Sequence, residues 1–232
     1  MISVDLVYIC RSGDNEELRY SIRSAVKNLK FDNLWVVGGK PDWYVGNYIS
    51  VLQDQHKYQN ALNNLRAACA SEEIPEDFIL MNDDFYITNK INEVKIYNNG
   101  LLEDQINQYY NLGLRSTYLN RLGKTYAYLQ RRDIPNPISY EIHVPMPMKK
   151  SKLITILEEN YSTLWRSKYG NTFNIGGETV KDVKVHKSGG LVALSYNQDQ
   201  EQIPYLSSAD SSFMFLLDYL TTNFSEKSTY ER

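Results

Sequence analysis

Short apolar runs of strand length alternate with amphipathic stretches through the first third of this 232-residue chain, joined by brief polar turns. Residues 2–9, ISVDLVYI, read as a buried strand. The turn RSGDN follows, with Gly13, Asp14 and Asn15 supplying its chemistry. From Glu16 to Leu29, apolar Leu18, Ile22, Ala25, Val26 and Leu29 recur at helical spacing, and Arg19 and Arg23 lie four apart on one side. NLWVVGG (33–39) is a second strand ending on a glycine pair, KPDWY a turn or short helix, and YISVLQ (48–53) a third strand. A helix over 58–70 and a strand over 77–81, DFILM, complete the series. Strands and helices in alternation across short connections predict an α/β layer fold with a mostly parallel sheet.

The remainder is less regular. Residues 101–131 lack strand alternation and predict one or two helices. DIPNPISYEIHVPMPMKK is broken by four prolines, with a strand expected at 139–144. Helices are expected at 149–158 and 161–168, strands within GGETVKDVKVHKSGG (176–190) and LVALSY (191–196), and a closing helix at 211–223. No repeat or linker divides the sequence, so one domain is expected over 1–232. A net charge of −3 gives no general pull toward nucleic acid, although LQRRD (129–133) and MKKSK (148–152) are small basic spots. Cys10 and Cys69 sit in apolar contexts and read as buried thiols of a reducing compartment, not as a disulfide or metal framework. No apolar stretch reaches the roughly 18 residues of a membrane span. The opening MISVDLVYIC carries Asp5 and no basic leader, so a soluble, cytoplasmic protein is expected.

FILMNDDFYI (78–87) sets Asp83 and Asp84 inside an otherwise apolar run, straight after Asn82. Unpaired carboxylates are costly to bury, so two like charges here need a partner. In an α/β sheet ligands gather at the carboxyl ends of strands, and paired carboxylates there suit Mg²⁺ or Mn²⁺. One Asp capping a turn while the other is solvated is the alternative. RSGDNEELRYSIRS gathers Arg11, Arg19 and Arg23 on one strand, loop and helix. A loop that opens a helix is a natural phosphate or nucleotide site, and an exposed helix with ordinary i,i+4 pairs is the competing reading. KYQNALNNLRAAC clusters Asn60, Asn63, Asn64 and Arg66 near a helix start; asparagine is a poor helix former, so the cluster suggests hydrogen bonding, though Asn60 also fits an N-cap. His143 stands on the expected 139–144 strand, where a structural role competes with a catalytic one. Asp210 lies among four serines in YLSSADSSF, placed for an N-cap, a substrate hydroxyl or a metal.

Taken in order, DLVYICRSGDNEELRYSIRSAVKNL, LWVVGGKPDW, FILMNDDFYI and YEIHVPMPMKKSKLITIL resemble the Stealth-type sugar-phosphate transferases. RSKYGN and YLSSADSSF look similar to phage-encoded relatives described as glycosyltransferases. The resemblance implies a glycosyltransferase-A-like sheet and a site for a nucleotide-diphosphate sugar. Residues 1–100 would bind that donor, and 101–232 would form the acceptor side. Asp83 and Asp84 match the family's paired acids, implying Mn²⁺ or Mg²⁺ held against the donor diphosphate. Arg11, Asp14, Arg19 and Arg23 match its first block, with Asn60, Asn64, Arg66 and Asn82 as further donor-binding candidates. His143 matches the histidine of its H-x-P block, and His143 or Asp210 would act as base, with Asp84 in the catalytic set. Sugar transfer, sugar-1-phosphate transfer and a non-enzymatic binding module stand as competing functions. The acceptor is open among a glycan, a polymer, a protein and modified bases in nucleic acid.

Overall fold

A computed structural model describes residues 4–158, 162–186 and 203–232. The chain falls into two compact units, the first made of Met1–Val94, His143–Lys150 and Val183–Arg232, the second of Lys95–Ile142 and Ser151–Asp182.

The first unit is built on strand β1 (Asp5–Cys10), with β2 (Leu34–Gly38) and β4 (Asp77–Asn82) parallel on either side. All three are apolar and almost wholly buried, as strands covered on both faces must be. β3 (Asn47–Ser50) extends the sheet beyond β2, and β7 (Met146–Lys149) closes the other edge antiparallel to β4, giving the order β3-β2-β1-β4-β7. The strand expected at 139–144 is not formed; pairing begins at Met146 instead. Pro147 sits in register with Ile79, which an edge strand tolerates because its outer side needs no amide donor. Helix α2 (Lys57–Ala70) matches its expectation and buries Leu62, Leu65, Ala68 and Cys69.

Helix α1 (Glu16–Asn28) starts at Asn15, which takes a left-handed conformation (φ 45°) and accepts from the Leu18 amide at 3.2 Å. Its buried face is unusually polar. Ser21 donates to the Phe85 carbonyl, Ser24 accepts from the Ile87 amide at 2.9 Å, and Asn28 donates to the Ile87 carbonyl at 2.6 Å. These side chains thereby replace a neighbouring strand for β5 (Phe85–Ile87) on one side. On the other, β5 pairs antiparallel with β10 (Tyr205–Ser208), which runs parallel to β9 (Lys184–Val185). Helix α7 (Phe213–Asn223) covers this small sheet through Leu216, Leu220 and the following Phe224, against Tyr20, Tyr86 and Leu206.

In the second unit the expected helical stretch at 101–131 resolves into α3 (Leu102–Asn111) and α4 (Thr117–Gln130), the latter capped by Ser116 on the Leu119 amide at 3.1 Å. Leu102, Leu119, Leu122, Leu129 and Leu164 form its core. Helix α5 (Lys150–Glu158) lies where expected, whereas α6 (Trp165–Thr172) begins later than the 161–168 reading. β6 (Tyr97–Asn98) and β8 (Glu178–Thr179) form a short parallel pair. The strand expected in LVALSY lies outside the described residues. Among the described residues no helix is long and apolar enough to cross a membrane.

Candidate functional site

Register brings the site together. Ile9 pairs with Asn82 and Cys10 with Gly38, so β1, β2 and β4 end side by side. Arg11 and Asp83 are therefore the first residues past neighbouring strand ends, at the edge where α/β sheets bind ligands. Gly38 (φ +124°) makes this convergence possible: a Cβ there would stand 2.2 Å from the Cys10 carbonyl oxygen. Asn64 of α2 reaches the same place, donating to that carbonyl at 3.2 Å and accepting from Gln53 at 2.8 Å.

Asp83 and Asp84 form the turn between β4 and β5. Asp83 Oδ2 accepts from Asn15 Nδ2 at 2.7 Å and lies 3.6 Å from Arg11 Nε. Burial, and then the neighbouring Asp84 charge, push the Asp83 carboxyl up to about 7 against the pull of Asn15 and Arg11. Asp84 Oδ2 receives the Lys184 ammonium at 2.9 Å and the Ser207 hydroxyl at 3.1 Å. Asp84 Oδ1 and Asn82 Oδ1 are buried with no hydrogen-bond partner among the described residues.

Arg11 ties the acids together. Its guanidinium donates to Glu17 at 2.8 Å and to Asp210 at 3.2 Å, besides facing Asp83. Glu17 is nearly enclosed, and its second oxygen accepts from Ser208 at 2.7 Å, whose hydroxyl meets the Tyr86 hydroxyl at 2.9 Å. Burial raises the Glu17 carboxyl despite the Ser208 bond, with Asp84 adding to the effect. Ser208 and Lys184 escape a reading of sequence because their partners are remote in the chain, as does the bond between Glu17 and Ser208. The one local signal is that Glu17 falls in the first turn of α1, where an acid also suits the helix dipole.

The remaining candidates divide. Asp210 joins the cluster through Arg11, largely exposed to solvent. The His143 ring stands edge-on to Phe85, the residue after Asp84, with centroids 6.2 Å apart. Asp14 is exposed, and its carbonyl accepts from the Trp43 indole at 2.7 Å. Arg19 and Arg23 are engaged elsewhere, both on Glu231, at 3.1 and 2.7 Å. Asn60 closes the turn before α2 through the Gln55 amide and carbonyl, and Arg66 lies on the exposed side of α2.

A solved structure shares this architecture. WbbM, a bifunctional glycosyltransferase, superposes over 97% of this chain and 50% of its own with a TM-score of 0.58 at 9% identity. The glycosyltransferase GlyE of Streptococcus pneumoniae matches 96% of this chain and 61% of its own, with a TM-score of 0.47 at 9% identity. The fold is glycosyltransferase-A-like. The chain spans about half the length of WbbM and three-fifths of GlyE. No family model and no curated protein sequence matches it.

The strand-end donors fit a hard divalent cation. Asn82, Asp83 and Asp84 each offer oxygen donors, and Oδ1 of Asn82 and Oδ1 of Asp84 are enclosed with no hydrogen-bond partner among the described residues. Among the described residues no group of three or more His, Cys, Asp or Glu side chains gathers to hold a metal. One or two carboxylates completed by substrate phosphates and water is the usual arrangement for Mg²⁺.

Proposed function

We propose that this chain is a glycosyltransferase that takes its sugar from a nucleotide-diphosphate sugar, with Mn²⁺ or Mg²⁺ held at Asp83 and Asp84. The adjacent carboxylates at the carboxyl edge of the parallel sheet, beside Arg11 and with Oδ1 of Asp84 and Oδ1 of Asn82 unpartnered among the described residues, carry this reading. The glycosyltransferase-A-like fold supports it. Two adjacent charges in a nearly closed turn hold each other at a cost that a cation and a diphosphate jointly relieve.

When bound, the ion supplies charge against the departing diphosphate. Arg11 adds a planar guanidinium suited to phosphate oxygens, and the amino end of α1 adds the partial charge of its free amides. Asp210, beside Arg11, and His143, beside Phe85, are the candidate bases for an acceptor hydroxyl. The acceptor class we favour is a glycan or related polymer, and the compartment the cytoplasm, where the free thiols of Cys10 and Cys69 stay reduced. The order of the Stealth-like blocks supports a second reading, delivery of sugar-1-phosphate. The two differ in product.

Chromatography of nucleotide products decides between them. The protein is incubated with Mn²⁺ and a panel of nucleotide sugars, with and without crude acceptor. A nucleoside diphosphate is the expected product. A monophosphate establishes sugar-phosphate transfer, and binding with neither product leaves a binding module.

Glu17 is assigned a positioning role, through its 2.8 Å bond to Arg11. Replacing it with glutamine turns one of its two buried acceptors into a donor facing either Arg11 or Ser208. Charge-assisted hydrogen bonds contribute about 1.5–3 kcal/mol, so nucleoside diphosphate affinity is expected to weaken about tenfold. Titration calorimetry of Glu17→Gln checks it, and an unchanged Kd would remove Glu17 from the site.

A further inference from the structure

The cation that the Asp84 carboxylate holds in this structure is the chain's own. Lys184 Nζ sits 2.9 Å from Asp84 Oδ2, and Ser207 Oγ shares that oxygen at 3.1 Å. This is a built contact. Lys184 opens β9 in direct register with Ser207 of β10, and Ser207 pairs in turn with Phe85, so three strands fix the distance between Lys184 and Asp84. Both side chains are mostly enclosed, at 18% and 13% exposure, so water screens the pair only lightly.

A divalent ion at the Asp83–Asp84 turn meets this arrangement directly. Its ligands would include an Asp84 oxygen, and any ion there stands within a few ångström of the ammonium. Two cations at that separation in a mostly enclosed turn repel strongly, so they compete for Asp84. Lys184 is also the group that keeps Asp84 from being a buried, uncompensated charge while no ion is bound. Arg11 does not fill this role, since its guanidinium is shared among Glu17, Asp83 and Asp210.

We propose that Lys184 is a resident placeholder for the divalent ion: its ammonium occupies Asp84 until a metal displaces it, and so lowers the metal affinity of the free protein. The released ammonium, with three donors and no acceptor, is then available to donor phosphate oxygens. This rests on the metal-dependent reading above and adds to it a residue that sets how tightly the ion binds.

Binding of Mn²⁺ alone, followed by the electron paramagnetic resonance of the free ion, tests the proposal without reference to turnover. Lys184→Met is expected to bind Mn²⁺ at least about tenfold tighter than the natural protein. Added Mn²⁺ should also raise its melting temperature by more. Equal or weaker binding by the variant overturns the placeholder role while leaving the metal reading in place. No Mn²⁺ binding by either protein, with or without a nucleoside diphosphate, overturns both. A second measurement needs no variant to fold. Amine acetylation of the natural protein, read by mass spectrometry, should become several-fold faster at Lys184 when Mn²⁺ saturates the site, with other lysines unchanged. Unaltered labelling of Lys184 also overturns the proposal.

Discussion

Asp84→Asn is expected to lower turnover by about a thousandfold or more while the protein stays folded. The substitution preserves size and leaves one oxygen to accept from Lys184 and Ser207, which hold Oδ2 at 2.9 and 3.1 Å. What it removes is the negative charge. A neutral amide is a weak ligand for a hard cation, and the positive charge opposite the leaving diphosphate goes with it. Such a loss corresponds to about 4 kcal/mol of transition-state stabilisation. The fold loses far less, because relief of the repulsion with Asp83 offsets the weaker contact with Lys184. Circular dichroism should therefore match the natural protein, with melting lower by only a few degrees. Product chromatography under saturating Mn²⁺ supplies the rate. Turnover within a factor of three of the natural protein would remove Asp84 from the reacting centre, and the metal assignment with it. Asp83→Asn is the companion measurement, since Asn15 and Arg11 rather than Lys184 hold that side chain.

Much of the large sheet is legible in the sequence because β1, β2 and β4 are buried on both faces. LVYIC, LWVVG and FILM are continuous apolar runs for that reason, and α1 and α2 between them keep helical spacing. The small sheet is less so. β9 falls within the strand stretch expected at 176–190, but β5 has three residues, and β10 is YLSS, whose serines look like loop. β5 is held on one side by Ser21, Ser24 and Asn28 of a helix, an arrangement that no strand periodicity announces. Prolines mislead in the same way: Pro145 and Pro147 argue against a strand at 146–149 until its edge position is known. Within the site, the acidic pair stands out locally because charge interrupts an apolar run. Its partners Lys184 and Ser207 do not, because they arrive through tertiary register. Arg19 and Arg23 show the converse. Their four-residue spacing is plain in the sequence, yet the acid that both bind is Glu231, 208 residues from Arg23.

That remote pair carries the largest expected effect on stability. The Glu231 side chain is fully enclosed, accepting from Arg23 Nε at 2.9 Å and Nη2 at 2.7 Å, from Arg19 Nη1 at 3.1 Å, and from the Ser228 amide at 2.9 Å. Arg19 in turn lies 4.5 Å over the Trp43 ring, and the Arg232 amide donates to the Trp43 carbonyl at 2.9 Å. The last residues are thus fastened to α1 and to the turn before β3. Burial alone would raise the Glu231 carboxyl, but the bonds from Arg23 and Ser228 outweigh it and hold it at about 2, from an ordinary value of 4.5. At 1.36 kcal/mol per unit, that difference contributes about 3 kcal/mol when the group is ionised. Glu231→Gln is expected to lose about that much, lowering the melting temperature by about 10 °C. The pH dependence has a definite sign. A depressed carboxyl stabilises the fold above its unfolded value, and the contribution fades as the pH falls from about 4.5 to about 2. Urea unfolding of both proteins at steps across this window should show the gap wide at pH 6 and narrowing steadily below pH 4.5. A gap that stays constant through the window would mean that packing, and not the ionised carboxylate, holds the end of the chain against α1.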